Sequence, residues 1–183
     1  MIQLRLIWDE NGDKDNWKRQ VKKLKKNTEK TNVMRLLEQK KVGYVSHCYV
    51  DTGVVSGREV AEVLHQNPAQ VFKTLVTAGG SGINYVFVLP CDKELDLKKA
   101  AKVVGEKSIG MIKSKDLLGL TGYIHGGCSP VGMKKQFKTV IDTSAEGFDT
   151  ILFSGGKIGW QVETSLDELK KILKFDLADI TSG

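Results

Sequence analysis

The sequence predicts an α+β fold in which helices surround a mixed, mostly antiparallel central β-sheet. Three observations carry that expectation. Short strand-like runs and capped helical segments mix irregularly, without the strict strand–helix alternation of a doubly wound sheet. Two apolar runs flank Gly79-Gly80-Ser81-Gly82, which marks a β-hairpin. Near the end, strand-like runs at 138–142, 150–154 and 158–163 follow one another, the last two across Gly155-Gly156.

Taken in chain order, residues 2–8 alternate apolar and polar side chains as a strand does, and Asn11-Gly12 is a turn signal. Residues 14–26 suit a helix with Trp17, Val21 and Leu24 three and four apart. Thr31 is an N-cap candidate for a helix carrying Val33, Leu36 and Leu37 that Gly43 is expected to end. Residues 44–50 read as a strand. Ser56 then caps a helix with Val60, Val63 and Leu64 on one face, finishing before Pro68. The hairpin strands are 71–78 and 83–89. Asp96 caps a helix through Val104, stopped by Gly105; Ser114 opens a short helix through Leu118; glycine-rich loops occupy 119–133. A last helix is expected over 165–173.

The chain has 183 residues, of which 40% are hydrophobic, enough for one globular domain with a short appendage. No apolar run approaches the roughly 20 residues of a membrane span, and the first ten residues charge too early for a secretory leader. Cys48, Cys91 and Cys128 are odd in number and contain no CxxC pair, so neither a disulfide scaffold nor a zinc site is indicated, and a cytoplasmic location is expected. The three histidines lack metal-ligand spacing; no metal and no cofactor are expected. The net charge of +6 is uneven. Residues 1–30 hold nine Lys/Arg against five Asp/Glu, while the remainder hold 19 against 17. Residues 1–30 thus form a basic N-terminal extension to a body at 31–183. The lysines at 14–30 suit a polyanion such as RNA or a solvated helix face.

Two features of the body carry chemistry. The stretch Thr121 to Lys135 places glycines at 122, 126, 127 and 132, so a loop there can aim several backbone N–H groups at one carbonyl or phosphate oxygen. A structural double turn explains the same composition. Lys73 lies in a strand among apolar neighbours, on the side of Val71 and Leu75, where an ammonium needs a partner or a cleft. Such a lysine holds an anionic or carbonyl group, acts as a base after losing its proton, or simply snorkels from an edge strand. The nucleophile candidates are less well framed: Ser129 lacks a Gly-x-Ser-x-Gly elbow and precedes Pro130, and Cys128 also reads as a thiol filling a packing gap.

Taken as an ordered set, these blocks resemble the YbaK/EbsC family of free-standing aminoacyl-tRNA deacylases, relatives of the editing domain of prolyl-tRNA synthetases. The matching residues begin with Leu36-Leu37, His47-x-Tyr49, Gly57, Val71-Phe72-Lys73-Thr74-Leu75 and Leu97-Lys98-Lys99-Ala100. They continue with Thr121-Gly122-Tyr123, Gly126-Gly127-x-Ser129-Pro130-x-Gly132-x-Lys134-Lys135 and Ser154-Gly155-Gly156-Lys157-x-Gly159. The resemblance spans about residues 31–181 and leaves residues 1–30 outside it. The Gly-Gly-x-Ser-Pro and Ser-Gly-Gly-Lys blocks favour the YbaK branch over the alanine-editing one.

The resemblance implies a barrel-like central sheet of the YbaK type and hydrolysis of mischarged aminoacyl-tRNA, with cysteine on proline tRNA the typical substrate. It implies catalytic roles for Lys73, Gly126 and Gly127, and substrate contacts from Tyr49, Ser56, Thr74, Cys128 and Ser129. Lys134, Lys135 and Lys138 are expected on tRNA phosphates. The attacking group is expected from the substrate, as its own thiol or a ribose hydroxyl, or from water. The implied partners are aminoacyl-tRNA and prolyl-tRNA synthetase. Ser56 stands where relatives often carry an aromatic residue, and His125 and Cys128 replace common aliphatics. An alanine-specific deacylase, a non-catalytic tRNA-binding paralogue and a serine or thiol esterase are the competing readings.

Overall fold

The computed structural model describes residues 30–182; the expected strand at 2–8, turn at Asn11-Gly12 and helix at 14–26 lie outside the described residues. The body opens with α1 (Asn32–Gln39), whose N-cap Thr31 accepts the Met34 N–H through its side chain. α1 stops well before Gly43, because Lys41 turns to φ +55° and Val42 N–H closes on Leu37 O at 2.9 Å. Gly43 instead binds the far side of the domain: its N–H donates to Glu168 Oε2 at 2.6 Å and its carbonyl accepts from Thr164 Oγ1 at 2.6 Å. β1 (Val45–Cys48) leads through a 3-10 turn to α2 (Gly57–Val63), which Ser56 caps in a reciprocal box with Glu59. β2 (Phe72–Gly79) and β3 (Asn84–Pro90) form the expected hairpin.

Beyond it come α3 (Leu97–Val104), capped by Asp96 and ended by Gly105, then β4 (Ile109–Met111) and α4 (Ser114–Thr121). α4 opens at Ser114 as expected, after an N-cap Lys113 that makes no side-chain hydrogen bond, and runs three residues past Leu118 to the left-handed C-cap Gly122. The last elements are β5 (Lys138–Asp142), β6 (Ile151–Ser154), β7 (Trp160–Thr164), α5 (Leu166–Leu169) and β8 (Phe175–Ala178). The helix expected over 165–173 is thus one turn, and Leu173 N–H already closes it on Leu169 O.

The strands make two sheets. One runs β1-β7-β6 and is antiparallel throughout; the other runs β4-β2-β3-β5-β8, with β3·β5 and β5·β8 parallel. They meet at a single bridge, Val71 opposite Leu152. The two-sheet arrangement replaces the single barrel-like sheet, because β2 diverges from β6 after that bridge and no closed barrel forms. β3 is buried on both faces, which explains its unbroken apolar run. Its Val86 and Val88 join Phe72, Ile141, Phe153, Val162 and the α1 residues Val33 and Leu37 in the main core. Tyr85, Phe87 and Leu89 point the other way, to Ala100 and Ala101 of α3. Asp142, only 3% exposed, ends β5 by accepting N–H groups from Ser144 and Ile180, both at 3.0 Å. No helix among the described residues is long and apolar enough to cross a membrane.

Candidate active site

β4 pairs with β2 only at Thr77, Ala78 and Gly79, so residues 72–75 of β2 have no strand on that side. A cleft of about 510 Å³ runs along this open edge. Because the cleft wraps the edge, Lys73 and Thr74 both line it although successive strand side chains point to opposite faces. The N-terminus of α2 supplies Ser56, Gly57 and Arg58, the β4–α4 segment supplies Met111, Ile112 and Leu117, and the loop after α4 supplies His125, Gly126 and Cys128. Ser154 of β6 and Gln161 of β7, which face each other across their ladder, contribute from the other sheet.

The structure brings together Lys73, Gly126, Tyr49, Ser56, Thr74 and Cys128 on this cleft. Lys73 Nζ is not free: it donates to Glu94 Oε1 at 3.0 Å, with the lysine side chain 24% exposed and the glutamate 81%. Tyr49 is buried, its N–H donating to Gly159 O at 2.8 Å, and burial pushes its phenol above the usual range. Ser56 is exposed and its hydroxyl serves the α2 cap, accepting Glu59 N–H and donating to Glu59 Oε2 at 2.7 Å.

Gly126 sits at φ +80°, and a Cβ there would lie 2.3 Å from Val55 Cγ1, so only glycine fits. The loop around it is braced by Tyr123, whose hydroxyl donates to Val131 O at 2.6 Å. Gly127 and Ser129 do not line the cleft. The Gly127 N–H closes a turn on Ile124 O at 3.0 Å. Ser129 is fully buried and its Oγ accepts the Val131 N–H at 3.4 Å. Among the described residues the N–H groups of Gly126 and Cys128 make no hydrogen bond, so these two remain able to donate to a ligand. Lys134, Lys135 and Lys138 are exposed and lie off the cleft; Lys138 Nζ is 3.8 Å from Asp176 Oδ2.

The thiols are poor nucleophiles. Burial pushes Cys128 up to about 12, and burial together with the Asp92 charge pushes Cys91 up to about 11. Among the described residues no group of three or more His, Cys, Asp or Glu side chains could hold a metal ion. Sequence reasoning missed Cys91, Met111 and Gln161. Cys91 was visible as an isolated thiol after the β3 run; Met111 belongs to a strand of three residues with no periodic signal. Gln161 was visible as a polar residue in an apolar strand. It is 3% exposed, and its Oε1 has no hydrogen-bond partner; Thr74 Oγ1 is likewise buried and unpartnered.

Residues 51–172 match the model of the aminoacyl-tRNA editing domain family. A curated relative from Enterococcus faecalis, named "Putative Cys-tRNA(Pro)/Cys-tRNA(Cys) deacylase EbsC", is 43% identical over 159 residues, covering 86% of this chain and 97% of the relative. Two solved structures share the fold. One, described as "a putative trans-editing enzyme for prolyl tRNA synthetase", superposes with a TM-score of 0.72 at 24% identity and covers 85% of this chain and 100% of its own. The other, a hypothetical protein, gives 0.76 at 22% identity, covering 83% and 100%. The chain belongs to the aminoacyl-tRNA editing domain family, as a deacylase of the YbaK/EbsC type.

Proposed function

We propose that this protein removes cysteine from mischarged proline tRNA in the cytoplasm, holding the esterified 3′ end in the cleft along β2. The observation that supports this reading is the shared cleft of Lys73 and Gly126, an ammonium and a glycine loop with unengaged N–H donors. An aminoacyl ester is already activated, so an enzyme accelerates its hydrolysis by orienting it and stabilising the oxyanion that develops on the carbonyl. In this reading the N–H groups of Gly126 and Cys128 receive that oxyanion, while Lys73 leaves Glu94 to hold the phosphate or ribose of the terminal adenosine. Gly127 acts by shaping the turn rather than by donating. Ser129 supports the loop from beneath. Tyr49 and Thr74 shape the pocket for the amino-acid side chain, with Ser56 at its mouth.

Neither cleft thiol is a ready nucleophile, because burial holds both protonated, and Ser129 lies off the cleft with its hydroxyl turned into the loop. In this reading water, or the substrate's own thiol, bonds to the carbonyl carbon, the ester C–O bond breaks and the ribose oxygen leaves with a proton; water gives the free amino acid directly, the thiol gives a cyclic thioester that water then opens, and the neighbouring ribose hydroxyl can assist by relaying the proton. A small pocket separates similar side chains by only about 1–3 kcal/mol, which is why a second hydrolytic site is useful to a synthetase that admits cysteine. Lys134, Lys135 and Lys138 would meet tRNA phosphates beyond the ester. A deacylation panel with cysteine, alanine and proline on proline tRNA tests the reading. Cysteine should be released fastest and Lys73→Ala should abolish release; equal rates for all three would overturn the cysteine assignment.

A further inference from the structure

We infer that Gln161 is the residue that recognises the α-amino group of the esterified amino acid, an inference that rests on the deacylase reading above. Gln161 lines the cleft and is only 3% exposed, and its Oε1 is buried with no hydrogen-bond partner. Leaving such an atom unpaired destabilises a fold, a cost that a ligand donor offsets on binding. The position is fixed by main-chain pairing on both sides, to His47 of β1 and Ser154 of β6. The acceptor is therefore held ready rather than recruited by movement.

The identity of the donor follows from the chemistry of the cleft and the order of groups along the substrate. The amino acid is the last unit of an aminoacyl-tRNA, so it reaches furthest from the polynucleotide, and Gln161 is among the least exposed residues of the cleft wall. The charged residues on that wall are Lys73 and Arg58, both cations; it carries no Asp or Glu. An amine entering it thus has neutral oxygens alone to bind. The α-amino group offers two or three N–H donors, whereas a thiol is a weak donor.

The test compares two esters on the same tRNA, cysteinyl and its desamino counterpart 3-mercaptopropionyl, each rate divided by the uncatalysed hydrolysis of that ester. The wild type should prefer the amine-bearing ester roughly tenfold or more, the scale of a hydrogen bond to a charged group. Gln161→Met, which keeps the volume and removes the acceptor, should bring that ratio close to one. Gln161→Glu, which keeps an acceptor, should preserve it. A wild-type ratio of one, or an undiminished ratio in Gln161→Met, overturns the assignment while the deacylase reading stands. A wild type that releases neither acyl group overturns the deacylase reading and this inference with it. Because the wild-type ratio decides on its own, a Gln161→Met protein that fails to fold does not shield the proposal.

Discussion

Lys73 Nζ lies 3.0 Å from Glu94 Oε1, so the cation at the cleft edge already has a carboxylate partner that stands 81% in solvent. A substrate phosphate must displace that partner. An exposed pair of this kind is weak, of the order that changes an equilibrium by about 1.5- to 5-fold. Glu94→Gln should lower the KM for Cys-tRNA by that factor without changing far-UV circular dichroism, whereas Lys73→Ala should lower kcat/KM by about a hundredfold or more. A raised KM in Glu94→Gln would show that the carboxylate positions the lysine instead of competing for it.

Gly126→Ala meets two obstacles, the left-handed φ of +80° and Val55 Cγ1 at 2.3 Å. The substitution should destabilise the domain by about 1–3 kcal/mol and reduce deacylation more than it reduces stability. Adding Val55→Ala removes the contact but not the backbone strain, so the double variant should recover part of the lost melting temperature. Full recovery would show that the φ at this position carries no strain.

How much of this was legible in the sequence depends on how local each signal is. The caps at Thr31, Ser56 and Asp96 were readable because a side-chain oxygen and an N–H two or three residues on define them. The β2–β3 hairpin was equally local. β4 and β8 were not: they are three and four residues long, with little alternation, and they are strands because β2 and β5 accept them. The split into two sheets rests on where β2 leaves β6, a relation between residues about 80 positions apart. In the site, Lys73 and Gly126 were legible as a charge in an apolar strand and a glycine pair. The distribution of labour within the loop was not, because it depends on which N–H groups the loop itself consumes, such as that of Gly127.

The cleft thiols should be inert. With Cys91 near 11 and Cys128 near 12, both are essentially all thiol at pH 7.5. Site-resolved mass spectrometry after iodoacetamide treatment of the native protein should find them labelled far more slowly than a free small-molecule thiol. Cys128→Ala should keep most of its turnover. Loss of activity on the scale of Lys73→Ala would point to a thiol nucleophile.

Glu163 gives a pH dependence with a defined sign. The Thr150 hydroxyl, which donates to Glu163 Oε1 at 2.7 Å, is the main cause holding its carboxyl below the ordinary 4.5; burial opposes it and the His47 ring at 2.8 Å assists. A depressed folded value stabilises the protein above pH 4.5, and that contribution is lost as pH falls through the folded value. Thr150→Val should therefore lower stability at pH 7 and flatten its fall between about pH 5 and pH 3, read by urea unfolding at each pH. An unchanged slope would remove Glu163 from the account.

Salt should separate tRNA contact from chemistry. Replacing Lys134, Lys135 and Lys138 by alanine should flatten the dependence of log KM on log salt by up to about two units. The rate on a short aminoacylated CCA fragment should be unaffected. Equal loss on both substrates would place these lysines in folding or catalysis.

Among the described residues the bridge between Val71 and Leu152 is the one strand pairing that joins the two sheets, and beneath it Ala61, Val71 and Leu152 pack as a separate small cluster. The sheet of Thr74 and the sheet of Gln161 are accordingly held together by packed side chains, in this cluster and in the main core, instead of by a hydrogen-bonded ladder. Shaving or enlarging the side chain at Leu152 would reset the bore of the pocket from behind. A change at Leu152 would thus alter which amino acid fits while every residue lining the cleft stays the same.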